Sequence, residues 1–338
     1  MDLLRLPRLV LNKMFKKRDI KENPPLIVKM DLLRLPLVVL IEVFKNMDFR
    51  EKFLISLLSK RARSTLTLTC VIPHFTFFFK TDLYIGTNAQ SCTEITEWTG
   101  HIGGEEMRLS ILSEKVISRE QSFRKRLLLV AYLLDTFKKA SVSVLFYDVI
   151  LPSSAYEFIK MINQRQLCIN SVIYIICGHS SEFIPRILDE CTEVAECIIV
   201  RADFTDDFEY TPPRPFKAKV FHVGLSNNWF NLEKFMTCRY IAVELDEDSK
   251  RNGQDFNLFF TKWMNSDVPL QNVKFSTTKE PEYQMIMNAL DNQGTKRELE
   301  EGWIELKRGD GSEFFIEETP DAIEIFTKQA YLKRYKEE

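Results

Sequence analysis

Short apolar runs rich in β-branched residues alternate with helix-like segments along most of the chain beyond residue 120. Because strands that alternate with helices usually form a parallel sheet, this alternation predicts an α/β fold. The predicted strands are 141–151, 171–177, 195–200, 217–225, 239–245 and 270–275. The predicted helices are 123–139, 153–165, 181–190, 231–237 and 254–265.

The spacing of these strands limits the architecture further. Their centres lie roughly 20–30 residues apart, which is the period of solenoids of the leucine-rich type. The units lack a regular ladder of leucine and asparagine, so the prediction is a degenerate leucine-rich-repeat-like β/α solenoid. An open, doubly wound α/β sheet is the alternative. The chain has only 11 glycines and no Gly-x-Gly-x-x-Gly turn, which favours the solenoid.

Composition supports a globular chain and excludes some partners. Hydrophobic residues make up 45% of the 338 positions, and 26 phenylalanines supply material for a core. The formal charge of −2 argues against a nucleic-acid-binding protein, which needs a net basic face. No run of about 18 uninterrupted apolar residues occurs, so no membrane partner is expected.

The N-terminal part of the chain contains an internal repeat. Residues 1–19 and 30–48 share the opening Met-Asp-Leu-Leu-Arg-Leu-Pro and several later positions. The first copy carries Asn12 where the second has Ile41 and Lys13 where the second has Glu42, and a Pro-Pro pair follows it. We therefore interpret 1–29 as an incomplete duplicate. It is either a duplicated exon or an upstream start, with Met30 as the working beginning of the protein, or a segment with a functional role of its own.

The second copy continues into a compact helical segment over 35–63. Leu35-Pro36 opens a helix with apolar residues on nearly every side. Asp48 followed by Glu51 has the form of a capping box, which predicts a second helix there. The predicted buried stripe of that helix consists of Phe53, Leu54, Leu57 and Leu58. A module this small and this apolar is expected to be completed by a partner.

The ordered segment LPLVVLIEVFKNMDFREKFLISLLSKRARSTL resembles an F-box. The resemblance implies that the module binds the Skp-type adaptor, and through it the cullin scaffold, of an SCF ubiquitin ligase. It also implies an adaptor-binding set made up of Leu35, Pro36, Leu40, Val43, Phe44, Leu57 and Ser59. Ala62 departs from the pattern, because many F-boxes have a bulky residue there.

A second resemblance covers most of 130–320. Its marks include Trp229, the segment ending in Lys262-Trp263, and a closing hairpin with Asp310-Gly311 in its turn. These are similar to the F-box-associated type 2 domain, a family expanded in nematodes, and imply a substrate-recognition region. Both tryptophans are expected to be core residues rather than ligand contacts.

The resulting domain prediction has five parts. They are an incomplete duplicate (1–29), the F-box (30–70), a connecting region (71–123), a substrate-recognition domain (124–320) and a C-terminal tail (321–338). The segment 66–80, which contains the apolar run 71–79, is predicted to be a strand, and the polar residues 81–122 are predicted to be the least ordered part of the chain.

Motifs of catalysis are not found. The sequence has no Gly-x-Ser-x-Gly and no His-Glu-x-x-His, and its four histidines are isolated. No catalytic residue, metal or cofactor is therefore predicted. The seven cysteines include no Cys-x-x-Cys pair and mostly neighbour apolar residues, which indicates reduced, buried thiols and a cytoplasmic or nuclear location.

Together these patterns predict a non-enzymatic substrate-recognition adaptor of an SCF-type ubiquitin ligase. The alternative is a protein–protein interaction factor that acts outside a ubiquitin ligase. The target protein and the surface that binds it are not predictable from the sequence, because exposed and core side chains of a solenoid look alike.

Overall fold

The computed structural model describes residues 35–87, 95–137, 140–147, 150–179, 182–205, 207–245, 249–277, 279–299 and 302–336. The predicted duplicate at 1–29 lies outside these residues. The helices are α1 Leu37–Lys45, α2 Phe49–Leu58, α3 Lys60–Thr69, α4 Phe123–Thr136, α5 Pro152–Gln164, α6 Ile184–Glu190, α7 Gly253–Met264, α8 Glu280–Asp291 and α9 Lys328–Lys336, with a short 3-10 turn at Leu232–Phe235.

All the described strands belong to one 15-stranded sheet. They are β1 His74–Phe79, β2 Leu83–Gly86, β3 Thr96–Ile102, β4 Glu105–Ile111, β5 Lys115–Ser118, β6 Ser141–Tyr147, β7 Ile169–His179, β8 Cys197–Asp203, β9 Val220–Gly224, β10 Tyr240–Glu244, β11 Asn272–Ser276, β12 Thr295–Glu298, β13 Trp303–Lys307, β14 Glu313–Thr319 and β15 Ala322–Thr327.

The sheet is parallel in its middle and antiparallel at both ends. Its order is β12-β13-β14-β15-β11-β10-β9-β8-β7-β6-β1-β2-β5-β4-β3. The seven strands from β11 to β1 are mutually parallel. Apart from the insertion of β2 to β5, these seven lie side by side in chain order. The fold is therefore α/β, with N-terminal helices followed by a large mixed open sheet, as the coarse prediction states.

The two faces of the parallel strands differ in burial. In β1, β6 and β8 every second side chain is fully buried and the intervening ones are half-buried. The buried face packs under helices: Phe79 contacts Phe123 of α4 and Phe158 of α5. At the other end of the array, Phe275 contacts Phe256 of α7. We call the opposite, half-buried side the open face.

The C-terminal helix α9 packs against the open face at one end of the sheet. Tyr331 of α9 stacks on Phe315 of β14, with ring centroids 3.9 Å apart. Phe326 of β15, which is paired with Asn272 of the open face, lies in the same small cluster. This cluster is separate from the main core, so α9 covers the antiparallel end and not the parallel strands.

Most predicted elements beyond residue 120 are confirmed to within a few residues. The predicted hairpin with Asp310-Gly311 in its turn is also confirmed: Asp310 accepts a hydrogen bond from the backbone of Ser312, and Gly311 has φ +85°. Trp229 and Trp263 are core residues, each donating its indole N–H to a backbone carbonyl at 3.0 Å.

Three sequence predictions are wrong or incomplete. Of the predicted strand 66–80, residues 74–79 form β1, but residues 66–69 are the end of α3. Residues 81–122 were predicted to be poorly ordered, but they contain β2, β3, β4 and β5. Their strands alternate inward and outward side chains with many polar residues, so they lack the apolar runs of the parallel strands. The predicted C-terminal tail contains all of β15 and all of α9.

No helix in the described part of the chain is both long enough and apolar enough to cross a lipid bilayer.

Candidate functional site

Helix α1 is the first element of the helical module and has two apolar faces. Pro36 precedes the helix, and its carbonyl accepts hydrogen bonds from the N–H groups of Val39 and Leu40. One face buries Leu40, Val43 and Phe44. The other presents three consecutive aliphatic side chains to solvent, with exposed fractions of 54%, 74% and 42% for Leu37, Val38 and Val39. Exposed aliphatic side chains in such a cluster are typical of an interaction site.

Helix α2 begins with the predicted capping box. Asp48 accepts a hydrogen bond from the N–H of Glu51 at 2.8 Å, and the Glu51 carboxylate accepts one from the N–H of Asp48 at 3.0 Å. Phe53 is fully buried, whereas Leu54 and Leu57 are half-buried. The prediction that Leu58 belongs to the buried stripe is wrong, because its side chain is 54% exposed.

Helix α3 follows α2 with only one residue between them. That residue, Ser59, is the N-cap of α3: its hydroxyl accepts a hydrogen bond from the N–H of Ala62 at 3.1 Å. Ala62 and Leu66 are fully buried. The small residue that departs from the F-box pattern is therefore an internal packing residue in this chain.

The helical module is continuous with the body of the protein. Phe49 of α2 contacts Phe75 of β1 and Phe137, which follows α4, with ring centroids 5.8 and 6.0 Å apart. These residues belong to one hydrophobic core that spans the module and the sheet. The apolar contact fixes how α2 lies relative to β1 and α4.

Polar contacts reinforce this junction. The hydroxyl of Tyr132 on α4 donates to the carbonyl of Ser56 at 2.8 Å, and the guanidinium of Arg63 lies 4.3 Å from the Tyr132 ring centroid. The same Arg63 donates to the Thr136 hydroxyl at 2.9 Å. Burial raises the pKa of Tyr132, so the phenol stays protonated and remains a donor.

The seven residues of the predicted adaptor-binding set fall into two groups. Leu40, Val43 and Phe44 are buried inside the chain. The other four are at the surface: Leu35 and Leu57 are half-buried, and Pro36 and Ser59 are exposed. Sequence reasoning did not single out Leu37, Val38 and Val39 for the site, because an apolar helix gives no periodicity that separates inward from outward residues.

The open face is the second region with the character of a binding surface. The paired residues Phe78, Leu145, Ile173 and Ile199 form a row of half-buried apolar side chains across β1, β6, β7 and β8. The row continues through His222, Ala242, Lys274 and Glu324 on β9, β10, β11 and β15. The open face therefore changes from apolar to charged along its length.

An ion pair crosses one strand of this face. Arg201 of β8 and Glu244 of β10 are 2.9 Å apart, and Gly224 of β9 lies between them. A Cβ at position 224 would overlap the Glu244 carboxylate, so the glycine makes room for the pair. His222 is 3.1 Å from the other Glu244 oxygen. Burial lowers the pKa of His222, and Glu244 partly opposes that shift.

The described cysteines do not form a reactive centre. Burial raises the pKa of the Cys191 thiol and raises that of Cys238 to about 12, so these thiols stay protonated at neutral pH. The side chains of Cys92 and Cys177 lie outside the described residues. In the part of the chain that the structure describes, no group of three or more His, Cys, Asp or Glu side chains is placed to hold a metal ion.

Comparison with known families identifies the helical module. Residues 32–71 match the F-box domain, and no match to the F-box-associated type 2 domain was found. Comparison of the chain with curated proteins and with solved structures gave no match. The chain therefore carries an F-box domain, whose presence implies binding to a Skp-type adaptor. F-box proteins are non-catalytic adaptors, in agreement with the prediction that this chain is not an enzyme.

Proposed function

We propose that this protein is a substrate-recognition adaptor of an SCF-type ubiquitin ligase, acting in the cytoplasm or nucleus. The observation that carries the proposal is the F-box domain at 32–71, whose first helix leaves Leu37, Val38 and Val39 exposed. An aliphatic cluster of this kind is costly in water and is stabilised when a partner covers it. The Skp-type adaptor is that partner, and the cullin scaffold joins through it.

The adaptor-binding surface consists of the outer side of the helical module. From the predicted set it contains Leu35, Pro36, Leu57 and Ser59, which lie at the surface. It also contains the exposed aliphatic residues Leu37, Val38, Val39 and Leu58. In this proposal Leu40, Val43 and Phe44 do not contact the adaptor. Their burial in the core holds α1 in the orientation that exposes the surface residues to the adaptor.

The adaptor interface is tested by placing a charge on its outer side. Val38→Asp combined with Leu58→Asp should weaken binding to a purified Skp-type adaptor by roughly 100-fold or more, because two desolvated aliphatic contacts are lost and two carboxylates are buried. Calorimetric titration measures the affinity. Leu258→Asp on α7, where the side chain is 52% exposed, is the matched control and should bind normally.

Substitution of the buried residues tests a different property. Phe44→Ala should lower the free energy of unfolding by about 3–5 kcal/mol, because it opens a cavity beneath α1. Its effect on adaptor binding is interpretable only alongside a stability measurement. Normal adaptor affinity in the folded Val38→Asp, Leu58→Asp variant would contradict the proposed surface.

For the body of the chain we propose a solenoid-like arrangement that holds the protein target on the open face. Support comes from the seven parallel strands, which follow one another in chain order and pack helices against a common face. Such an arrangement leaves the other face available, apart from the end of the sheet that α9 covers. The resemblance of 130–320 to the F-box-associated type 2 domain implies the same role for this region.

The target surface is tested by substitution on the apolar half of the open face. Ile173→Asp with Ile199→Asp should remove specific proteins from the set that co-purifies with the full chain, while the Skp-type adaptor is retained. Leu151→Asp is the control, since Leu151 is 68% exposed at the start of α5. An unchanged set of bound proteins in the folded double variant would exclude this face as the target site.

A further inference from the structure

The two edges of the sheet differ in how well each can pair with another strand. One edge is β3, a seven-residue strand with the sequence Thr-Glu-Trp-Thr-Gly-His-Ile. The other is β12, a four-residue strand with the sequence Thr-Lys-Arg-Glu. In the described residues each pairs with a single neighbour, β4 or β13. The outer N–H and C=O groups of an edge strand are a template for a further strand.

The β12 edge is unsuited to pairing with a copy of itself. In an antiparallel pair of two β12 strands, directly opposed residues must lie on the same face of the sheet, so in the registers that pair most of the strand the two-fold axis falls on Lys296 or on Arg297. Each of these registers places two cations directly opposite each other, which destabilises the pair. Short, charged strands of this kind are a common protection of sheet edges.

The β3 edge has the opposite property. With a two-fold axis at Thr99, all seven residues pair, and no like charges meet. Glu97 faces His101 of the other copy, and this contact occurs twice. Trp98 faces Gly100, and Thr99 faces its own equivalent, a cross-strand combination that is favourable in sheets.

The exposure of the β3 side chains agrees with this pairing register. Glu97, Thr99 and His101 are exposed and lie on one side of the strand, whereas Trp98 and Gly100 lie on the inner side. The Trp98 ring covers Gly100 of its own strand, where a Cβ would overlap it. Ser110 of β4, on the side of β3 away from the edge, donates a hydrogen bond to one Glu97 carboxylate oxygen at 2.8 Å, so the contact proposed below uses the second carboxylate oxygen.

We propose that β3 pairs antiparallel with β3 of a second copy of this chain, so that two sheets join into one across a two-fold axis. The contact is isologous and closes on itself, which gives a dimer and not a filament. In the dimer the Glu97 carboxylate accepts a hydrogen bond from the imidazole of the partner copy's His101. An adaptor of this form presents two targets and two F-boxes in one particle, a property beyond the proposed function itself.

Charge exchange on the full chain alone tests the dimer without involving the Skp-type adaptor. His101→Glu places two carboxylates opposite each other at both ends of the contact, and sedimentation velocity should show dimerisation weakened about tenfold or more. Glu97→Lys combined with His101→Glu restores opposite charges and should restore association. Glu298→Lys on β12 is the matched control and should leave association unchanged.

Cysteine cross-linking tests the register. In a Cys168→Ser background, Thr99→Cys should form an intermolecular disulfide, because directly opposed residues of an antiparallel pair lie about 4.5–5.5 Å apart at Cα. Glu97→Cys is the control: the two equivalents are displaced by four residues, about 13 Å along the strand, and should not link. A monomeric chain, a dimer unaffected by His101→Glu, or equal cross-linking of both cysteine variants would overturn the proposal.

Discussion

The two faces of the sheet are made by the same strands but differ in what covers them. On one face, neighbouring aromatic residues are fully buried under helices, as Phe79 is beneath Phe158. On the other, alternate residues of the same strands are half-buried and include the charged Arg201 and Glu244. Adjacent positions in one strand therefore have different roles. The residues of the covered face stabilise the fold, and those of the open face are proposed to recognise the target.

The largest expected difference between the faces is in stability. Phe79→Ala should lower the free energy of unfolding by about 3–5 kcal/mol, because Phe79 contacts Phe146, Phe158 and Phe123 and leaves a cavity when truncated. Phe78→Ala, one residue earlier and on the open face, should cost about half as much or less. Urea unfolding measures both. Equal losses would contradict the assignment of stability to the covered face.

An intermediate effect is expected at Gly224 on the open face. Gly224→Ala should destabilise the protein by about 1–2 kcal/mol, because the new methyl group displaces the Glu244 carboxylate from Arg201. In a Glu244→Ala background the same substitution should cost less, since the closest overlapping group is gone and only the Arg201 side chain remains beside the new methyl group. Thermal unfolding of the four members of this double-mutant cycle separates the cases. Additive losses would show that the glycine serves another purpose.

The smallest effect concerns pH. Burial lowers the pKa of His222, which faces Glu244, Arg201 and Lys274, and also that of His74, which shares the open face. A histidine with a lowered folded-state pKa stabilises fully above its unfolded value of about 6.5, and this stability is lost as the pH falls through the lower folded-state value. Stability should therefore decline below about pH 6.5.

The contribution of one histidine is measured by its removal. His222→Gln should make the decline in unfolding free energy between about pH 6.5 and 5 shallower, by less than about 1 kcal/mol. Thr76→Ser, at a half-buried position of β1 on the same face, adds and removes no titrating group and is the control. An unchanged pH profile in His222→Gln would show that the lowered pKa of His222 does not contribute to the pH dependence of the unfolding free energy.

The sequence predicted most where the determining signals are local. The Asp48–Glu51 capping box, the parallel strands and the Asp310-Gly311 turn each depend on neighbours in the chain, and each is confirmed. The F-box was recognisable for the same reason, because its helices follow one another over some thirty residues. Local propensity and spacing are enough for elements of this kind.

The sequence predicted least where structure depends on distant pairing. The strands β2 to β5 are short and polar on one side, and they form because β2 pairs with β1 and extends an existing sheet. The space that Gly224 leaves for the Arg201–Glu244 ion pair exists only when β8, β9 and β10 lie side by side. The outward face of α1 was equally hidden, because Val38 and Val43 are the same residue type in opposite surroundings. No single-sequence period distinguishes them.

If the chain is the proposed adaptor, the junction between the F-box and the sheet has a consequence for how a target is modified. Phe49 lies against Phe75, and Tyr132 is bonded to Ser56, so no flexible tether separates the two parts. If a flexible tether joined the F-box to the sheet, many lysines of a bound target could reach the ubiquitin-charged enzyme. Tether length would then set their effective concentration at that enzyme. With a rigid joint, only those lysines that the docking geometry already points toward that enzyme are within reach. In the proposed adaptor, the junction would therefore restrict which lysines of the target are modified.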